Sequence, residues 1–156
     1  MDQVKIRNKE FAKQLVDYEG LQWGKITPTD FDGLIEYQDR GFIFFESKYK
    51  GTIFDLASGQ GKAFKRLVDD LSKTKPAVLF LVWHDCASTE DIKIAHCKVV
   101  GYYFAGRWQR PKNARDLKWW CSRFIEHIKL NHYDHSPAPI RAVRDFRRGD
   151  PGRVPK

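Results

Sequence analysis

A single α/β (α+β) domain, built as a small mixed sheet flanked by helices, is predicted by three features of the sequence. Residues 30–37 (DFDGLIEY) and 42–49 (FIFFESKY) are apolar runs separated by the polar QDRG, which is the pattern of an antiparallel hairpin. Residues 77–83 (AVLFLVW) are a short, continuous apolar run, as in a central strand covered on both faces. Between them lies a helix-periodic stretch that allows a parallel crossover, so the sheet is expected to be mixed.

Taken in order, residues 7–19 are predicted to be a helix, with Phe11, Leu15 and Val16 at helical spacing; Gly20 and Gly24 interrupt it. In the hairpin, Gly41 is expected to supply the turn conformation. The loop KGTIFDLASGQG (50–61) leads to a helix over about Lys62–Lys73, with Ala63, Phe64, Leu67, Val68 and Leu71 on one face. Pro76 stops the connection before the central strand. Ile92–Trp108 holds one or two further strands, and GRWQRPK (106–112) reads as a loop. Asn113 is expected to cap the last helix, with Asp116 in its first turn and Leu117, Cys121, Phe124, Ile125 and Ile128 facing inward. A basic tail begins after about His135.

The 156 residues are enough for one domain with a real core. No apolar run approaches the roughly 18–20 residues that span a bilayer, and the N-terminus is charged throughout, so a cytoplasmic protein without a signal peptide is expected. The formal net charge of +8 attracts polyanions, of which nucleic acid is the commonest in a cytosol; a membrane partner is not expected. The last twenty residues hold six basic groups (Arg141, Arg144, Arg147, Arg148, Arg153 and Lys156) against Asp145 and Asp150, which is half the net charge. Such a tail either solubilises the chain or tracks phosphates. Cys86, Cys97 and Cys121 are too few and too widely spaced for a disulfide framework. With His84 and His96 they also lack zinc-ligand spacing.

The chemistry is written in the second hairpin strand. Alternation puts Phe42, Phe44, Glu46 and Lys48 on one face, and Ile43, Phe45 and Ser47 on the other. A carboxylate and an ammonium thus enter a strand apolar on both sides, which is costly unless they have partners or a task. With the turn near Asp39–Arg40, opposed residues have numbers summing to about 78–80. Asp32 then shares the face of Glu46 and lies opposite Glu46 or Lys48, while Asp30 falls opposite residues near Lys50. Two close carboxylates share a proton or a cation. A divalent metal beside a lysine is the machinery of phosphodiester hydrolysis; a structural Asp–Lys or Glu–Lys pair is the alternative.

The stretch PTDFDGLIEYQDRGFIFFESK resembles the catalytic core of the PD-(D/E)XK nuclease superfamily: an Asp opening a strand, a turn, then an apolar strand ending in Glu-x-Lys. The elements here are Asp32 and Glu46-Ser47-Lys48, and the following SGQGKAFKRLVDDL is similar to the Gln-bearing helix of many members, with Gln60 in that position. The resemblance runs loosely over 7–130 and includes an early acidic helix residue, Glu10. The closest flavour is that of small phage and mobile-element nucleases, both homing and resolvase-like.

The resemblance implies a restriction-endonuclease-like core over residues 1–135, followed by the tail at 136–156. It implies Mg²⁺, for which Mn²⁺ can substitute, held by Asp32, Glu46 and the Ser47 carbonyl, with Glu10 a supporting ligand. Lys48 would polarise the attacking water and Gln60 would orient it or contact the scissile strand. Asp30 remains the alternative metal ligand to Asp32. Lys62, Lys65 and Arg66 suit backbone phosphates, or else form a solvated helix face. Arg107, Trp108, Arg110 and Lys112 suit backbone contact plus stacking, with an aromatic plug at a strand end as the alternative for Trp108. The expected function is a metal-dependent endonuclease acting on double-stranded or branched DNA, site-specific and homing-like. The alternatives are a Holliday-junction-type resolvase or a DNA-binding module that keeps the fold without catalysis. Cutting both strands calls for a homodimer or higher homo-oligomer.

Overall fold

A computed structural model describes residues 18–130. Residues 7–17 of the predicted helix, Glu10 and the basic tail lie outside those residues; Tyr18 and Glu19, the last two of that predicted helix, are not helical. The described chain is an α+β fold: an open five-stranded mixed sheet with one helix packed on each face.

Strand β1 (Gly33–Glu36) and strand β2 (Phe42–Tyr49) form the hairpin, with Gly33 opposite Phe45 and Glu36 opposite Phe42. The turn differs from expectation. Its left-handed residues are Gln38 (φ 47°) and Asp39 (φ 58°), and Arg40 N–H donates to the Tyr37 carbonyl at 2.8 Å. Gly41 serves packing instead: a Cβ there would meet Ile128 Cδ1 at 2.5 Å and the Pro76 carbonyl oxygen at 3.0 Å. Lys75 pairs with Asp39 and ties the turn to the loop that enters the central strand.

Helix α1 (Gly59–Leu71) starts three residues before its predicted first residue because Ser58 caps it, its hydroxyl accepting from Gly61 N–H at 3.1 Å. The apolar stripe leads Phe64 and Val68 into the sheet, and each full side-chain burial contributes about 1.5–3 kcal/mol. The helix then crosses back to strand β3 (Ala77–His84), which runs parallel to β2 in the centre of the sheet; its first six residues are all buried.

Of the one or two strands expected between Ile92 and Trp108, β4 (Lys98–Phe104) lies within that stretch and β5 (Arg107–Gln109) begins inside it and runs into the segment expected as a loop; each is antiparallel to its neighbour. The turn between them uses Ala105 and Gly106, both at positive φ. Arg107–Gln109 is therefore an edge strand rather than the start of a loop. Helix α2 (Leu117–Leu130) is capped by Asp116, not Asn113: the Asp116 carboxylate accepts from Trp119 N–H at 2.8 Å. Leu117, Trp120, Phe124 and Ile128 pack with Ile43, Phe80 and Phe104 on one face of the sheet, while α1 covers Phe44, Leu79, Leu81 and Tyr103 on the other. No described helix is long and apolar enough to cross a membrane.

Candidate active site

The β1–β2 register makes Asp32 and Glu46 the next opposed pair after Gly33 and Phe45. Gly33 leaves room for the Phe45 ring, whose Cζ would fall 2.0 Å from a Cβ there. Just outside the strand, Asp32 Oδ2 accepts hydrogen bonds from the Ser47 amide at 2.6 Å and the Ser47 hydroxyl at 2.5 Å. One carboxylate oxygen is thus tied to the residue between Glu46 and Lys48, and Oδ1 makes no hydrogen bond among the described residues.

Glu46 is only 7% exposed. Its Oε1 lies 3.5 Å from Lys48 Nζ and accepts from Gln60 Nε2 at 3.2 Å; Gln60 Nε2 also reaches the Asp30 carbonyl at 3.1 Å. Burial pushes the Glu46 carboxyl above its ordinary range, and the negative charge of Asp32 pushes the same way, with Asp30 adding less. Lys48 pulls in the opposite direction and is outweighed. The physical reason is one of magnitude. Desolvating a carboxylate costs several kcal/mol, whereas a partly exposed lysine at this distance returns roughly 1 kcal/mol or less.

Gln60 reaches Glu46 because α1 begins under the end of β2. A compact turn over Asp55–Ser58 sets that start: Ser58 donates its amide and hydroxyl to the Asp55 carbonyl, and the Asp55 carboxylate accepts from Ala57 N–H. The entry is so tight that a Cβ on Gly61 would lie 2.7 Å from the Leu56 carbonyl oxygen. Glu46, Lys48, Ile53, Phe54, Gln60 and Trp108 are among the residues that line a cleft of ≈ 280 Å³ here. Lys48 Nζ sits 5.7 Å from the centre of the Phe54 ring. Asp32 is exposed at the rim and does not line the cleft.

The remaining sequence candidates divide by face. Trp108 joins the site, packed against Tyr103 with ring centroids 4.8 Å apart. Alternation along β5 turns Arg107 to the opposite face, so the structure does not bring it to the cleft. Arg110 and Lys112 are exposed beyond β5, and Lys62, Lys65 and Arg66 are exposed on α1 away from the cleft lining. Glu10, Arg141, Arg144, Arg147 and Arg148 lie outside the described residues. Sequence reasoning missed Ile53 and Phe54; their signal was an apolar pair inside an otherwise polar, glycine-bearing loop directly after Glu-x-Lys. A second hollow, of ≈ 400 Å³, lies at the ends of β2 and β3 and is lined by Tyr49, His84, Cys86, Ser88 and Glu90 among others. All three cysteines carry free thiols, and burial pushes that of Cys121 up to about 12.

Among the described residues no three His, Cys, Asp or Glu side chains gather to hold a metal. The donors at this site are two carboxylates, each with one oxygen bound to the protein and one left uncommitted. That set fits Mg²⁺, which takes hard oxygen ligands, keeps several waters and needs only one or two carboxylates. No family model, no curated protein and no solved structure matches the chain.

Proposed function

We propose that the chain is a Mg²⁺-dependent DNA endonuclease with a restriction-endonuclease-like core, acting as a homodimer or higher homo-oligomer on double-stranded or branched DNA. The observation that carries this reading is Glu46: a carboxylate almost fully buried, opposite Asp32, with Lys48 and Gln60 on the same oxygen. A buried cluster that costs stability in this way supports a working site, with a structural ion pair as the alternative. The strand order supports it as well, since a hairpin followed by a helix and a parallel strand is the arrangement the Glu-x-Lys resemblance implies.

Asp32, Glu46 and the Ser47 carbonyl are the groups that would hold the metal. When bound, the ion supplies Lewis-acid stabilisation of the phosphoryl oxygens and a water acidic enough to attack. The chain's own residues do the rest. Asp32 is oriented by Ser47, which fixes one oxygen and frees the other. Lys48 supplies a positive charge within the cleft, where charge builds on the transferring phosphoryl group. Gln60 holds Glu46 and the Asp30 carbonyl through its Nε2, and its amide oxygen would be the group that orients a water. Trp108 and Phe54 form apolar walls of the cleft. The basic residues Arg110, Lys112, Lys62, Lys65 and Arg66 would contact phosphates farther along the DNA.

The test is incubation of the full chain with supercoiled plasmid and a synthetic four-way junction, in Mg²⁺ or EDTA, beside Glu46→Gln and Lys48→Met. Metal-dependent cutting by the wild type that both variants lose supports the proposal. Tight, salt-sensitive binding with no cutting of either DNA refutes it in favour of a non-catalytic DNA-binding module.

A further inference from the structure

We infer that Ile53 is a wedge, an aliphatic side chain that enters between stacked bases beside the cleaved phosphate, and that the enzyme therefore favours DNA with an easily unstacked step. The inference rests on the nuclease reading of the cleft and adds a substrate class to it: mismatched, branched or flexible duplex. Ile53 is 85% exposed, the highest value among the large apolar residues described as exposed. Exposure of a single aliphatic residue is ordinary and decides nothing alone. Its position decides more, because Ile53 lines the same cleft as Glu46, Lys48 and Gln60.

The backbone on both sides of Ile53 is pinned. Gly51, at φ 86°, turns the chain, and Thr52 N–H donates to the Tyr49 carbonyl at 2.9 Å. The Thr52 carbonyl accepts from the Trp83 indole Nε1 at 3.1 Å. On the other side Phe54 packs against the core beneath α1 and lies under Lys48. The loop thus holds an isoleucine in water on a fixed pedestal, where a mobile loop would fold it away. Lys48 and the exposed Lys50 flank the loop, so a strand that meets this side chain also meets positive charge.

An aliphatic wedge partly unstacks a base step and bends the duplex. Burying the side chain returns a free energy comparable with the cost of unstacking one step, not larger than it. A well-stacked step therefore resists, while pyrimidine–purine steps, mismatches and branch points yield. A neutral, shape-dependent preference of this kind needs no base-reading side chain.

The probes are a four-way junction and a mismatched duplex, each with one 2-aminopurine beside the weak step, and the matched duplex as reference. Binding is followed in EDTA so that no cutting intervenes. Wild-type binding is expected to raise 2-aminopurine fluorescence and to favour mismatched over matched duplex by about tenfold or more. Ile53→Ala is expected to abolish the rise and most of that preference while keeping the salt dependence of binding. Ile53 is exposed, so the variant should fold, and its melting temperature checks this. An equal fluorescence rise and an equal preference in the variant would overturn the wedge. So would an Ile53→Ala effect confined to self-association in sedimentation, which would make the residue a protein contact. The nuclease reading is judged separately by Mg²⁺-dependent cutting: if the wild type cuts and Ile53 is silent in fluorescence, only the wedge fails. If the wild type never cuts but the Ile53-dependent rise is seen, base insertion by Ile53 stands, while the nuclease reading and the placement beside a cleaved phosphate fail.

Discussion

Asp32 Oδ2 is held by both the amide and the hydroxyl of Ser47, the residue that separates Glu46 from Lys48 on β2. The residue between the two charged groups thus carries their third partner, on the strand's other side chain and its backbone. One consequence is that the rim carboxylate cannot drift from the buried one, although Asp32 belongs to a different strand end and is itself exposed. The candidate site is built across the hairpin, with Gln60 closing it from α1.

Glu46→Gln should separate activity from stability. The substitution keeps the shape and the bond to Gln60 but removes a charge whose surroundings disfavour it. Cleavage is expected to fall by about 10²-fold or more. The metal-free protein is expected to gain on the order of 1 kcal/mol, read as a rise of about 2–4 °C in the melting temperature. A variant that loses activity and also melts lower would contradict this account of the charge.

The pH dependence of stability follows from the same group. Glu46 holds its proton more tightly in the folded chain than in the unfolded one, because burial raises its folded pKa. Its contribution to stability is therefore fully present below the ordinary carboxylate value and is lost as pH rises through the raised folded value. Thermal melts in EDTA across that window should show wild-type stability declining relative to Glu46→Gln, which lacks the titration. On the proposed reading Mg²⁺ would compete with the same proton, so its binding should release protons and strengthen with pH. Calorimetry in two buffers of different ionisation enthalpy measures that release.

Two neighbouring glycines at the start of α1 should behave in opposite ways. Gly59→Ala meets nothing within 4 Å and should be neutral or stabilising. Gly61→Ala drives a Cβ against backbone oxygens of Leu56 and Asp55 at 2.7 and 2.8 Å. Overpacking of that kind costs about 1–3 kcal/mol, and the better helix propensity of Ala returns at most about 1 kcal/mol. Because the turn also sets Gln60, cleavage measured well below the melting temperature should fall for Gly61→Ala and hold for Gly59→Ala.

Tyr103→Phe tests how α1 is fastened to the sheet. The Tyr103 hydroxyl, on a ring 1% exposed, donates to both carboxylate oxygens of Asp69, at 2.8 and 3.0 Å. Burial and that carboxylate together hold the phenol well above its usual range. Loss of the hydroxyl should cost about 1–2 kcal/mol, seen in denaturant as a lower midpoint with an unchanged slope.

Much of this molecule is local and was therefore legible in the sequence. Period-two alternation determines which side chains of β2 share a face, and the turn position places Asp32 opposite Glu46 or Lys48; the register points to Glu46, but the Asp32 carboxylate itself is bonded to Ser47, on the strand's other face. The apolar run at 77–83 reads as a covered strand, and the stripe through Phe64 and Val68 reads as a helix face; both are found. What sequence could not supply depends on groups that meet from distant parts of the chain. Gly41 reads as a turn residue, yet its smallness answers Ile128 of α2. Asn113 reads as the cap of the last helix, yet the helix begins later, where Leu117 docks its amide on the Cys97 carbonyl and Asp116 caps it. Trp108 and Arg107 are adjacent in sequence, but an edge strand sends one into the cleft and the other to the opposite face. The state of Glu46 is likewise tertiary: its cost comes from the depth at which α1, Trp108 and β3 enclose it, since desolvation depends on everything packed around a charge and not on its neighbours in the chain.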